Sequence, residues 1–271
     1  MEYVNVKGEE VPKIGLGTWQ LTEHCVESVK YALNNGYRHV DTAQVYGNEE
    51  KVGTGIQEAD VDREDIWLTT KVWRDNLNKQ SLKASVEESL EKLKTDYVDL
   101  LLIHWPFAEM NQEEVLKQLN ELVEEGKTKN IGISNYTPEG MEEAYKQSET
   151  ELLTNQVEYH PFLNQDAVLE KCQELEMMLT AYSPLARGEI IGNKTLKQIG
   201  DKYGKSEAQV ALRWLTQQQN VAAIPKASSK QHIDANLDIF DFQLTEQEQK
   251  KISELARNER KVNPDFGPEW D

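Results

Sequence analysis

Short apolar runs alternate with longer charged segments whose apolar positions recur every three or four residues, and this rhythm runs through most of the chain. The short runs predict strands at Ile14 to Gly17, Arg38 to Asp41, Ile66 to Thr70, Tyr97 to His104, Ile131 to Ser134, Thr154 to Glu158, Met178 to Tyr182 and Ala222 to Ile224. The longer segments predict helices near Cys25 to Asn34, Glu49 to Glu58, Gln80 to Leu93, Glu113 to Glu125, Pro138 to Lys146, Gln165 to Leu175, Glu207 to Gln217 and Lys230 to Asn236. Strand and helix alternate in this way in parallel βαβ units, because a parallel neighbour is reached only by a crossover. Runs such as DLLLIHW (99–105) and IWLTTKV (66–72) are nearly continuously apolar rather than alternating, as strands covered on both faces are. Eight such units predict an α/β fold of the closed (β/α)8 TIM-barrel type. Ahead of them YVNVKGEEVPKIG (3–15) alternates around Gly8 and reads as an N-terminal β-hairpin. Behind them Leu244 to Ala256 predicts an extra C-terminal helix, followed by the tail NPDFGPEWD (263–271) packed over the barrel.

An open doubly-wound sheet is the competing α/β architecture, but its first βα turn needs a glycine-rich phosphate-binding fingerprint. Here Gly15 and Gly17 are followed by Gln20 where a third small residue belongs, so the fingerprint fails. A length of 271 residues with no linker or repeat fits one barrel domain spanning 1–271. Apolar residues at 38% supply a large core, and no window approaches the roughly 18 uncharged residues of a membrane span. The N-terminus lacks the basic and apolar regions of a secretory signal, which predicts a cytoplasmic protein. Cys25 and Cys172 are far apart and show no metal-ligand spacing, so reduced thiols and no metal site are expected.

Thirty basic against 48 acidic residues give a net charge of −18, which repels phosphate backbones and argues against a nucleic-acid or anionic-membrane partner. The excess acid reads as solvated surface, or on a sharper reading as adaptation to high internal salt. No exposed apolar run demands a protein partner, so a monomer acting on a small molecule is expected.

In an α/β barrel the active site forms at the C-terminal ends of the strands. Asp41 closes the second predicted strand, Tyr46 follows in its loop, Lys71 closes the third and His104 closes the fourth. Singly, each has an ordinary explanation: a cap, a loop aromatic, a solvated amine, a core histidine. Together they make chemical sense. A phenol is a poor acid near neutrality unless a cation stabilises its phenolate, which an adjacent lysine does. A paired carboxylate keeps that lysine charged, and an imidazole N–H orients and polarises a carbonyl. The set suits protonation of a carbonyl oxygen while hydride reaches carbon. Side chains hold no hydride, so a nicotinamide cofactor is required.

The segments GYRHVDTAQVYGNE (36–49), LTTKVW (68–73), LLLIHWP (100–106), IGISN (131–135), NQVEYHP (155–161), AYSPLARG (181–188) and AAIPK (222–226) resemble, in order and over essentially the whole chain, the motifs of the aldo-keto reductases, of a short microbial type similar to the 2,5-diketo-D-gluconate reductases. The resemblance implies an NADP(H)-dependent oxidoreductase that reduces aldehydes, ketones or keto-sugars through Tyr46, Lys71, Asp41 and His104. It further implies that Ser134, Asn135 and Gln156 hold the nicotinamide carboxamide and that Tyr182 stacks on the ring. Ser183, Leu185 and Arg187 would belong to a loop over the pyrophosphate, flexible at Gly188 and Gly192. Lys226, Ser228, Ser229, His232 and Asn236 would take the adenosine end. Trp19, Trp73, Trp105 and Trp270, with Phe266, would line the substrate pocket. The alternative of a different class is a non-catalytic nicotinamide-binding regulatory subunit of the same fold; the intact tetrad argues against it.

The chain departs from the family pattern at Ala227, His232 and Ala235, where Ser, Arg and Glu are common. A histidine lacks the permanent charge and bidentate fork of an arginine. NADP(H) is therefore expected to be preferred, with NAD(H) also accepted.

Overall fold

The computed structural model describes residues 1–270. Strands β1 (Tyr3–Val6) and β2 (Glu9–Pro12) form an antiparallel hairpin. Eight parallel strands follow: β3 (Leu16–Gly17), β4 (His39–Asp41), β5 (Trp67–Val72), β6 (Val98–Ile103), β7 (Thr128–Ser134), β8 (Leu152–Glu158), β9 (Met178–Tyr182) and β10 (Val221–Ala223). They lie side by side in sequence order, and a parallel bridge from Ile14 to Ala223 joins the last strand to the first. The sheet is thereby a closed barrel.

The helices are α1 (Cys25–Asn34), α2 (Glu49–Gln57), α3 (Leu82–Leu93), α4 (Gln112–Glu124), α5 (Pro138–Gln147), α6 (Asp166–Glu174), α7 (Lys194–Tyr203), α8 (Glu207–Gln217), α9 (Lys230–Leu237) and α10 (Glu246–Ser253). Several starts follow from side-chain caps. Asn111, Thr137, Asn193 and Ser229 each accept from an exposed N–H of the first turn, and Ser206 with Gln209 and Thr245 with Glu248 form reciprocal capping boxes. Helix α7 lies in a stretch for which the hydrophobic pattern predicts no helix. It buries only Leu196, Ile199 and Gly200, and its remaining positions are mostly polar, so the apolar face, though one-sided, is short. Gly200, a weak helix former, is there because any side chain would run into the Lys205 carbonyl.

Two apolar layers account for the runs that looked apolar throughout. Along β6, Leu100 and Leu102 point into the barrel, where they meet Trp67, Leu153, Met178 and Ala222, while Leu101 and Ile103 face the helices. Val4, Val6 and Val11 of the hairpin belong to the interior cluster, so the hairpin stoppers the barrel's lower end. The same alternation places Asp41, Lys71 and His104 on the inner face, one layer above this apolar plug. In β8 the register slips: Leu152 pairs with Ile131 but Asn155 with Ile133, three residues against two. This irregularity turns Asn155 outward to the Tyr136 main chain and Gln156 inward to Asp41.

The glycines that fail as a nucleotide fingerprint serve barrel closure instead. A Cβ on Gly17 would lie 2.5 Å from the Ile224 carbonyl oxygen, and one on Gly15 would lie 2.7 Å from the His39 ring. Across this seam Gly15 N–H donates to Ala223 at 2.9 Å, Gly17 N–H to Pro225 at 3.1 Å and Ala223 N–H to Lys13 at 2.8 Å. Gly17→Ala should push main chain against main chain and destabilise the fold by roughly 2 kcal/mol. A thermal unfolding midpoint unchanged from the parent would show that the seam tolerates the methyl group.

Candidate active site

The upper rim of the barrel gathers polar groups that lie up to 115 residues apart in sequence, as Asp41 and Gln156 do. Lys71, fully buried at the end of β5, directs its three ammonium protons at three acceptors. Its Nζ lies 2.5 Å from Asp41 Oδ1, 2.8 Å from the Thr42 carbonyl and 3.4 Å from the Tyr46 hydroxyl. Tyr46 stands on a 3-10 turn, Gln44–Tyr46, closed by Gly47 in the left-handed conformation (φ 65°). The phenol oxygen receives a proton contact from the ammonium, which leaves its own O–H free to point elsewhere.

Burial pushes the Tyr46 phenol well above its ordinary range, and the Asp41 carboxylate adds to that shift. Burial pulls the Lys71 ammonium down, against the upward effect of Asp41. Each shift has burial as its largest cause and favours the neutral form of its own group, while the geometry keeps the ammonium as the phenol's cationic neighbour. His104 is held well below its ordinary range by burial and then by Lys71, so its ring is neutral with one donor and one acceptor nitrogen. Its buried Nδ1 has no hydrogen-bond partner among the described residues. Tyr46 and Trp73 both meet the His104 ring edge-on, at centroid distances of 5.7 and 5.3 Å.

Next to this group lies an amide and hydroxyl cluster. Ser134 Oγ donates to the Gln156 carbonyl at 2.7 Å, and Asn135 Nδ2 donates to the His104 carbonyl and to Ser134 Oγ, each at 3.0 Å. Asn135, with φ 65°, accepts from the Tyr182 hydroxyl at 2.7 Å. Gln156 Nε2 donates to Asp41 Oδ2 at 2.7 Å, so this cluster and the Asp41–Lys71 pair are continuous. Beyond Tyr182 the chain enters a loop in which Ser183, Ala186 and Arg187 all have positive φ (46°, 46° and 54°), as do Gly188 and Gly192. Left-handed backbone at three side-chain-bearing residues is strain that the surrounding structure must hold. Leu185 is half-buried within this loop, and the exposed Arg187 guanidinium lies 4.8 Å from the Trp19 ring.

The tryptophans expected around one pocket divide into three places. Trp73 and Trp105 each pack edge-on against Phe266 of the tail at 5.9 Å, beside His104. Trp19 sits across the mouth under Arg187. Trp270 stacks against the Arg260 guanidinium at 3.8 Å. A cleft of about 710 Å³ opens between Phe107 and Phe266, flanking the tetrad without being lined by it. Further along the rim, Lys226, Ser228, Ser229 and His232 are exposed around the start of α9, and Asn236 is buried in that helix. Ser229 Oγ caps the helix by accepting from His232 N–H at 3.3 Å.

Glu158 was not singled out from the sequence. Its buried carboxylate accepts from His160 Nε2 at 2.9 Å and from the main-chain N–H groups of Lys261 and Val262 at 2.7 and 2.8 Å. Phe162 N–H donates to His160 Nδ1, which places the ring proton on Nε2. This pair ties the tail across the barrel mouth. Its one sequence signal is an acid that closes a predicted strand, within the run NQVEYHP. Among the described residues no group of three or more His, Cys, Asp or Glu side chains is arranged to hold a metal ion.

The comparisons with known proteins agree with this architecture. The model of the Aldo/keto reductase family matches residues 13–257. A glyoxal reductase of Bacillus subtilis (strain 168) is 42% identical, covering 95% of this chain and 94% of that protein. A methylglyoxal reductase of Escherichia coli O157:H7 is 40% identical over 96% of this chain and 99% of its own length. Among solved structures, a candidate 2,5-diketo-D-gluconic acid reductase B superposes with a TM-score of 0.98 at 46% identity, covering 100% of this chain and 98% of that one. A Bombyx mori aldo-keto reductase in complex with NADP superposes with a TM-score of 0.90 at 32% identity, covering 98% and 97%. With barrel, rim chemistry and relatives in accord along nearly its full length, the chain belongs to the aldo-keto reductases, a family of oxidoreductases.

Proposed function

We propose that this protein reduces small aldehydes and ketones, α-dicarbonyls among them, with NADP(H) as preferred cofactor and NAD(H) also accepted. The observation that carries the reading is the Tyr46 hydroxyl 3.4 Å from a fully buried lysine that is itself paired with Asp41. The glyoxal and methylglyoxal reductases among the relatives support the small-dicarbonyl assignment.

The residues at the rim fit a nicotinamide dinucleotide. Ser134, Asn135 and Gln156 offer the mixed donor and acceptor set that a carboxamide needs, next to the half-buried Tyr182 ring. Ser183, Leu185 and Arg187 border the pyrophosphate position, and Lys226, Ser228, Ser229, His232 and Asn236 the adenosine end. Ser229 caps a helix N-terminus there, where partial positive charge favours a phosphate. When bound, the nicotinamide supplies hydride to the carbonyl carbon. His104, neutral, orients the carbonyl oxygen through a ring N–H; Tyr46 gives that oxygen its phenolic proton; Lys71 stabilises the resulting phenolate, and Asp41 keeps Lys71 charged. Trp19, Trp73, Trp105 and Trp270 are proposed to border the substrate, with Trp73 and Trp105 nearest His104. We further propose a single domain over 1–271 acting as a monomer in the cytoplasm.

Three measurements bear on this reading. Tyr46→Phe should bind NADPH normally while its turnover of methylglyoxal falls at least ~100-fold, the lower end for a positioned general acid; parental turnover in this variant removes Tyr46 from the mechanism. Because His104 is already neutral, kcat should show no limb near its ordinary pKa between about pH 6 and 8, and should decline only at alkaline pH as the Tyr46–Lys71 pair loses its proton. A kcat profile that rises through a single ionisation near pH 6.5 would contradict a neutral imidazole. The NADPH to NADH ratio in kcat/KM should stay below about a thousandfold, some 4 kcal/mol, and His232→Arg should raise it roughly tenfold; a ratio unmoved by the arginine would separate position 232 from phosphate recognition.

A further inference from the structure

One polar side chain outside the tetrad joins the two segments that bracket His104. Gln44 opens the turn that ends on Tyr46. Its Oε1 accepts from the main-chain N–H of Trp73 at 2.9 Å and from Asn76 Nδ2 at 3.1 Å. Its Nε2 donates to the Ser85 carbonyl at 3.1 Å, with the hydroxyls of Ser85 and Ser89 at 3.1 and 3.2 Å. The partners fix which end of the amide is which: an N–H donates only to the oxygen, and a carbonyl accepts only from the nitrogen. The network continues inward, since Ser89 Oγ also donates to Glu49 at 3.3 Å, and Glu49 accepts from Thr70, the neighbour of Lys71, at 2.6 Å.

Trp73 lies just beyond β5, where the strand ladder has ended, so the Gln44 oxygen takes the place of the missing strand neighbour. The two segments it joins carry Tyr46 and Trp73, which stand edge-on to the same His104 ring. We propose that Gln44 is a positioning residue for carbonyl reduction, setting the spacing between the proton donor and the pocket wall formed by Trp73. The proposal rests on Tyr46 being the proton donor. Gln44 itself reaches neither the Tyr46 hydroxyl nor Lys71 Nζ, so it acts through the two segments and moves no proton. A displacement of about 1 Å between reacting groups costs on the order of a hundredfold in rate, so a loosened turn is felt in kcat.

The test compares Gln44→Met, which removes every one of these hydrogen bonds, with Gln44→Glu, which keeps an oxygen for the Trp73 and Asn76 donors. In Gln44→Met, kcat for methylglyoxal should fall roughly ten- to a hundredfold. The ratio of KM for benzaldehyde to KM for methylglyoxal should change, while the NADPH dissociation constant followed by fluorescence stays within about threefold, below half a tenfold step in binding energy. Gln44→Glu should recover a substantial part of the lost kcat. Parental kinetics in Gln44→Met, or equal losses in both variants with NADPH binding weakened in parallel, would overturn the proposal and leave Gln44 as an anchor for α3. Should Gln44→Met fail to fold, Asn76→Ala must move the KM ratio and Ser89→Ala must not; the reverse pattern likewise overturns it. Tyr46→Phe is assayed alongside. Activity there refutes the proton donor whatever Gln44 does, whereas an inactive Tyr46→Phe beside a parental Gln44→Met refutes only the positioning role.

Discussion

A lysine ammonium and an aspartate carboxylate sit side by side with almost no access to water, and the upper half of the barrel is organised around them. Each charge alone in that environment would cost several kcal/mol. Contact between Lys71 and Asp41 offsets part of that cost, and the remaining hydrogen-bonding capacity is met by the Thr42 carbonyl, the Tyr46 hydroxyl and the Gln156 amide. A buried ion pair is weak evidence for stability, because a well-packed apolar pair of similar volume is often as stable or more so. It sits at the rim, above an interior layer in which the apolar side chains are joined by the buried His39 and Thr69, and perturbed buried charges of this kind cluster at functional sites.

The amide of Gln156 joins this pair to the cluster of Ser134, Asn135 and Tyr182. The proposed proton-donating group and the proposed cofactor cradle therefore share one hydrogen-bond network. Anything that reorients Gln156 is felt at Asp41 and so by the lysine facing the phenol. Glu158, two residues further along β8, performs the corresponding task for the tail by holding two of its N–H groups. One strand thus fastens both the rim chemistry and the segment that crosses above it.

How much of this could be read from the residues depended on whether the signal was local. Asp41, Lys71 and His104 were legible because each follows an apolar run, and strand alternation carries all three to one face. Trp73, Trp105 and Phe266 were grouped by resemblance and do come together, and Trp270 stacks against Arg260. Helix α7 escaped because its buried face is only two apolar side chains and a glycine. The slip in β8 escaped because no residue type announces an irregular register; only the partner strand reveals it. Gly15 and Gly17 form no nucleotide fingerprint, and their reason for being glycine lies at side chains and main chain distant in sequence, His39 and Ile224. The Gln44 network is of the same kind, since its partners lie 29 to 45 residues away.

The seam between the first and last barrel strands sets an order of events during synthesis. Ile14 emerges early, but its partner Ala223 is made only after most of the chain. Until then the hairpin valines Val4, Val6 and Val11 lack part of the interior they stopper, since Met178 and Ala222 of that cluster also come late. Contacts of such long sequence separation form slowly, and exposed apolar surface on an incomplete chain invites misassociation. The N-terminal segment is thus the part of this nascent protein that waits longest for its partners, and the chain's heavy negative charge, which makes neighbouring copies repel, protects it while it waits.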